Sequence, residues 1–330
     1  MRVVAAPDKL RGTASASAVA AAIGRVAAAC GWLCDEVPMA DGGEGTLDAL
    51  GGANRTTTVT GPLGAPVEAG WRLDGRTAVI EMARASGLEL VGGAEANDPI
   101  AASTAGTGEL IVAAMDAGAT RVIVGVGGSA STDGGLAAMR ALHPLARIRG
   151  IDLIVACDVR TGFVDAAAVF APQKGASAAQ VELLRRRLER LAQVYEAEHG
   201  VDVTALAGAG AAGGLAGGLA AAGARLVPGF DLIADEVELY EHLEGADLVV
   251  TAEGFLDAQS FEGKVVGGVA ALAADAGVPV VAIAGEVFDD VGDRIEAVSL
   301  VQRFGEERAR SDAIACIEEV AAGVLVERGA

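Results

Sequence analysis

Short apolar runs alternate along the chain with longer segments whose apolar positions recur at helical spacing, the pattern of strands and helices taking turns. Val3-Val4-Ala5-Ala6 predicts a first strand, stopped by Pro7-Asp8, and Ser15 or Ser17 suits the N-cap of an alanine-rich helix reaching about residue 29. A second strand ends at Asp35-Glu36-Val37-Pro38. Over residues 56–82 the pattern changes to β-branched residues broken by Gly and Pro, including Gly61-Pro62-Leu63-Gly64, which predicts antiparallel strands and a change of domain. A capped helix is expected over 104–118, buried strands over 121–124 and 151–156, and a long helix over 177–198 with a solvated charged face. The last third returns to a βα rhythm, with strands at 247–251, 278–284 and 297–301 and helices at 264–274 and 311–327. Such alternation predicts a parallel sheet covered by helices on both faces.

At 330 residues the chain has room for about two domains. Aromatic residues make up 3% of it, so its cores must be built from small aliphatic side chains. A net charge of −20 repels nucleic acid and anionic membrane surfaces, and neither is expected as a partner. Cys30, Cys34, Cys157 and Cys316 show no pairing pattern and read as reduced thiols, with no His or Cys pair to complete a metal site from Cys30-x-x-x-Cys34. A charge follows the first apolar run too early for a signal peptide, so a cytoplasmic location is expected. The uncharged stretch 203–224 is mostly Ala and Gly, too weakly apolar to enter a bilayer, and reads as a Gly-rich loop leading into a closely packed helix. Nothing in the chain specifies a subunit number.

The chemistry-bearing residues concentrate in the loops. Among 22 arginines stand three lysines, Lys9, Lys174 and Lys264, each beside glycine-containing turns, where a compact point charge suits phosphate. Asp8, Asp41, Glu44, Asp133, Asp158, Glu253 and Asp257 also fall in Gly-rich loops, several at strand C-terminal ends where open α/β sheets bind ligands. Each carboxylate alone is more often an N-cap or Asx-turn residue. Together with the lysines they fit a site for Mg²⁺ and a nucleotide polyphosphate, hence phosphoryl transfer. The stretch from Gly125 to Gly135, between a strand and a helix, is either a tight turn or a phosphate cradle, and it matches neither G-x-G-x-x-G nor the P-loop. Acyl transfer lacks a G-x-S-x-G elbow, and hydride transfer lacks a dinucleotide fingerprint after the first strand.

Several motifs, in order, resemble the type I family of bacterial glycerate kinases over nearly the whole chain: Ala6-Pro7-Asp8 with Gly12, and Pro38-Met39-Ala40-Asp41-Gly42-Gly43-Glu44-Gly45-Thr46; then Glu81-Met82-Ala83, Gly106-Thr107-Gly108-Glu109, and Gly127-Gly128-Ser129-Ala130 with Asp133-Gly134-Gly135; then Ala156-Cys157-Asp158, Pro172-Gln173-Lys174-Gly175, Gly208 to Gly214, and Glu253-Gly254 with Asp257 and Gly263-Lys264. The resemblance implies ATP- and Mg²⁺-dependent phosphorylation of D-glycerate or a similar small hydroxy acid. It also implies a Rossmann-like α/β domain, expected over 1–55 and 230–330, and a second α/β domain over 56–229, with 105–135 assignable to either and the active site in the cleft between them. Under that reading Gly127, Gly128, Ser129 and Lys174 bind nucleotide, Asp133 and Asp158 hold Mg²⁺, and Asp41 is the base. Lys9, Arg11 and Glu44 contact substrate, and Asp8, Glu253, Asp257 and Lys264 complete the catalytic set. This copy departs from the family pattern at Lys9 to Arg11, at Thr132, where the family has Asn, at Arg160-Thr161-Gly162, and at Phe255, where the family has Arg. Those departures make it a divergent member and motivate a second reading: a non-catalytic relative that binds a nucleotide or acidic metabolite in a regulatory role.

Overall fold

The computed structural model describes residues 1–288, 291 and 294–329. The chain divides into two compact units: Met1–Asp41, Asp48–Leu50 and Phe230–Ala330 form unit 1, and Gly42–Leu47 with Gly51–Gly229 form unit 2. Residues 105–135 fall in unit 2.

Unit 1 is built on five parallel strands, β1 (Arg2–Ala5), β2 (Leu33–Glu36), β9 (Leu248–Leu256), β10 (Val280–Val287) and β11 (Glu296–Ser299), in the order β11-β10-β9-β1-β2. Side-chain alternation along β1 explains its unbroken apolar run. Val3 and Ala5 pack with Ile23 and Ile317 from helices Ala16–Ala29 and Ala313–Gly329, while Val4 and Ala6 pack with Val265 and Val269 of helix Val265–Asp275. With both faces covered, Val3 to Ala5 are all buried, so after Arg2 the strand shows no polar alternation. From β1 the chain moves to β2 on one side, whereas from β9 it moves to β10 on the other. The strand order therefore reverses between β1 and β9, which opens a crevice at their C-terminal ends.

Unit 2 carries six strands, β3 (Arg55–Thr60), β4 (Pro66–Asp74), β5 (Thr77–Glu81), β6 (Arg121–Gly125), β7 (Asp152–Ala156) and β8 (Arg225–Val227), in sequence order across the sheet. β3, β4 and β5 pair antiparallel, and β5 through β8 pair parallel. The turn into β4 is closed by Gly61 N donating to Ala65 O at 2.7 Å, with Gly64 at φ 91° as only glycine adopts readily. The fold is therefore α/β, with one parallel sheet and a second sheet that includes antiparallel strands.

Most expected elements appear, with shifts that have local causes. The strand expected over 297–301 ends at Ser299, whose hydroxyl accepts from Gln302 N at 3.2 Å and starts helix Leu300–Phe304. β8 and the helices Gly229–Glu236 and Leu239–Leu243 are too short to announce themselves by periodicity. Among the described residues no helix is long and apolar enough to cross a membrane, and the four cysteines are free thiols.

Candidate functional site

The crevice in unit 1 gathers carboxylates from three segments. The backbone ladder continues past β1, with Asp8 N donating to Ala252 O at 2.8 Å, so Asp8 lies beside the strand that carries Glu253. Burial pushes the Asp8 carboxyl up to about 6; Lys9 opposes the rise and the charge of Asp41 adds to it. Burial pushes Glu253 up to about 7, against hydrogen bonding from Ser260 and the charge of Lys264, while Asp8 and Asp257 raise it further. Glu253 is buried, and its Oε1 has no hydrogen-bond partner among the described residues. Two carboxylates held against their preference to ionise, with few compensating donors, mark a site built for function rather than stability.

The flanking residues divide by what they touch. Lys9 Nζ stands 3.5 Å from Asp8 Oδ1, and its backbone N–H donates to the same oxygen at 2.7 Å. The following turn, Leu10 to Ala14, is closed by paired backbone bonds and needs Gly12 at φ 73°. Arg11 on that turn lines a cleft of about 230 Å³ together with Gly254, Phe255, Glu286 and Arg310. Lys264 sits at the N-cap position of helix Val265–Asp275 and bears electrostatically on Glu253. Asp257 acts on its own loop, where its Oδ1 accepts from Gln259 N and Ser260 N and caps a short 3₁₀ turn. Unit 1 thus brings together Asp8, Lys9, Asp41, Glu253, Asp257 and Lys264, with Arg11 in the adjoining cleft.

In unit 2 the loop from Gly125 to Gly135 is held by backbone packing. Val126 N donates to Gly42 O at 2.9 Å, and a Cβ on Gly127 would sit 2.9 Å from Gly43 Cα and 3.0 Å from Glu44 N. Leu88 N donates to Gly128 O and Ala130 N to Ser86 O, pinning both sides of Ser129. The segment Gly208 to Gly214 serves the same loop: Gly134 N donates to Gly213 O, and a Cβ on Gly213 would lie 2.1 Å from Ser131 O. These glycines are required by close backbone approach. Glu44, next to the packed Gly43, is exposed.

Lys174 and Asp133 are occupied inside this loop. The Lys174 ammonium is 3% exposed and donates to Ser129 Oγ at 2.7 Å and Ser131 O at 2.6 Å, and burial lowers its pKa to about 7. Those two bonds brace the loop from within, at the Ser129 expected to bind nucleotide. Asp133 Oδ2 accepts from Thr104 N, Thr104 Oγ1 and Ala137 N, and its Oδ1 accepts from Gly135 N. Three donors crowd Oδ2 while Oδ1 has one and keeps a lone pair, so Asp133 ties helix starts together. Asp158 Oδ1, at the end of β7, accepts from Gly229 N at 2.6 Å. Among the described residues no three His, Cys, Asp or Glu side chains are grouped to hold a metal by themselves.

Three contributors escaped the sequence reading. Ser260 reaches Glu253, and its spacing three residues after Asp257 is a legible capping signal. Asn97 Nδ2 donates to Ala130 O and Lys174 O, bridging segments far apart in sequence, for which no local signal exists. Arg310 reaches the cleft beside Phe255 from a helix with an ordinary solvated pattern.

Comparison with known proteins places the chain in a family. The family model described as "Glycerate kinase family" matches residues 3–144 and 143–325. The Glycerate 2-kinase of Escherichia coli K12 is 42% identical over 334 residues, covering 88% of this chain and 87% of that protein. The Glycerate kinase of Bacillus subtilis 168 is 41% identical, covering 88% and 86%. A crystal structure from Salmonella typhimurium LT2, assigned to glycerate kinase 2, superposes with a TM-score of 0.84 at 36% identity over 99% of this chain and 98% of that one. The chain is therefore an enzyme, a kinase, and it belongs to the glycerate kinase family.

Proposed function

We propose that the chain transfers a phosphoryl group from ATP, with Mg²⁺, to a hydroxyl of D-glycerate or a similar small hydroxy acid, giving phosphoglycerate and ADP. The observation that carries this reading is the crevice of unit 1, where Asp8 and Glu253 are raised by burial to about 6 and about 7 and Glu253 Oε1 lacks a partner. The donor set fits Mg²⁺, which commonly takes one or two carboxylates and completes its shell with phosphate and water. Asp8 and Glu253 would hold the ion, which when bound would offset charge on the phosphate oxygens.

The remaining roles belong to side chains. Asp41, coupled electrostatically to Asp8, is the proposed base that accepts the proton of the attacking hydroxyl. Lys264, beside Glu253, is the point charge for the transferring oxygens. Arg11 offers a planar fork to the carboxylate of the acceptor, and its cleft is the one Phe255 lines, so it supplies a cation where the family pattern has Arg.

A coupled assay for ADP release across glycerate, lactate, glycolate and tartrate, with and without EDTA, tests the reading. EDTA-sensitive turnover on glycerate is expected. Nucleotide binding with no turnover on any acceptor would replace it with the non-catalytic reading, and turnover indifferent to EDTA would remove the metal.

A further inference from the structure

Unit 2 holds a groove of about 760 Å³ along helix Ala178–His199 that takes no part in the chemistry above. Its floor is aliphatic, formed by Ile100, Leu136, Leu184, Leu188, Leu191 and Val194. Lining residues run from Leu183 to Val194, about 16 Å along the helix axis at a rise of about 1.5 Å per residue. The rim carries Arg140, Arg186, Arg187 and Arg190. Arg186 lies 3.7 Å from Glu182, Arg187 donates to Ile100 O, and Arg190 donates to Gln193 Oε1. The Arg140 side chain is exposed, and among the described residues its guanidinium is in no side-chain hydrogen bond or ion pair. Three of four guanidinium groups therefore lack a carboxylate partner in a protein of net charge −20.

Thr132 supplies an independent sign of a ligand. It lines the same groove, is 2% exposed, and its hydroxyl has no hydrogen-bond partner among the described residues. Burying a hydroxyl unmet is unfavourable, and a polar head group in the groove would satisfy it. Asp133 also lines the groove, but its oxygens are held by Thr104, Gly135 and Ala137.

We propose that this groove binds a small organic anion with an aliphatic body, the body on the leucine floor and the head group among the arginines and the Thr132 hydroxyl. The lining includes no aromatic ring on which a purine could stack, which favours an aliphatic ligand over a nucleotide. A second copy would carry a net charge of −20 over its whole chain, and the long-range repulsion between two such chains disfavours self-association.

The test is calorimetric titration of the full chain with decanoate at low salt, beside decanol and ADP, on the wild type and an Arg140→Glu/Arg190→Glu variant. Decanoate is expected to bind with a dissociation constant below about 1 mM, and the double variant to weaken it at least tenfold while decanol binds the two proteins alike. Arg140→Gln alone, a change at an exposed side chain, serves as a milder second variant and is expected to weaken decanoate severalfold. Absence of decanoate binding, equal affinity in all variants, or ADP binding that is lost in the double variant would each overturn the proposal. So would a dimer in sedimentation that dissociates in the double variant.

Discussion

Lys174 offers a prediction whose size follows from its surroundings. Its pKa falls from 10.5 to about 7 because the ammonium is buried, the nearby Asp133 charge opposing the fall. Between those values the unfolded chain carries a proton on Lys174 that the folded chain has released, so unfolding free energy must rise with pH across that window. The slope approaches about 1.4 kcal/mol per pH unit, and the whole window is worth on the order of 4–5 kcal/mol. Lys174→Met keeps the length of the side chain and abolishes the titration. It also strips Ser129 Oγ and Ser131 O of their donor, at about 1–3 kcal/mol for each acceptor left unmet. Below pH 7 the buried charge of the wild type and the unmet acceptors of the variant offset each other, and the two proteins should differ little. Urea unfolding at pH 6.5, 8 and 9.5 should show the wild type gaining on the variant by about 3 kcal/mol over that range, other groups cancelling in the difference. Parallel stability curves, or a gap that narrows as pH rises, would show that Lys174 keeps its proton and would refute the reasoning.

Three further substitutions separate catalytic from structural roles. Glu253→Gln should lower kcat in the ADP-release assay at least ~100-fold without lowering the thermal midpoint, because it removes a buried carboxylate whose Oε1 has no partner; near-normal turnover would exclude Glu253 from the site. Asp133→Asn replaces an acceptor oxygen with an amide donor facing N–H groups, so chemical denaturation should show a loss of about 2–4 kcal/mol; undiminished stability with abolished turnover would restore a metal role. Gly127→Ala places a methyl against the Gly43 backbone and should cost about 1–3 kcal/mol, whereas a stable variant with weakened nucleotide binding would return that loop to phosphate contact.

How much was legible varies with the distance over which each feature is determined. The opening β-strand could be read from Val3 to Ala6 because strand periodicity and burial are local, and Asp8 was in view as one of seven carboxylates in Gly-rich loops, several at strand ends, where open α/β sheets bind ligands. The carboxylates of unit 1 were all in view as residue types, yet Asp257 as a cap and Glu253 as an under-satisfied acid look alike in sequence. Asp133 accepts from three backbone donors and a hydroxyl, one donor on Gly135, one on Ala137 and two on Thr104, 29 residues away, a set that chain position does not announce. The charged helix Ala178–His199 reads as a solvated face because its pattern cannot show that Leu136 and Ile100 complete a groove against it.

Alternation of apolar runs and helical segments determined an α/β chain by itself, since hydrophobic period and turn chemistry act within a few residues. Motif order determined the family, because each Gly-rich motif preserves a close approach or a charge whose type is written in the residue. Only the tertiary structure decided which charged groups are satisfied. Lys174 found partners in the loop of unit 2 and Asp133 at the helix starts beside it, while Asp8 beyond β1 and Glu253 on β9 were brought together with too few. That outcome depends on which segments share a low-dielectric space, and chain position alone does not specify it.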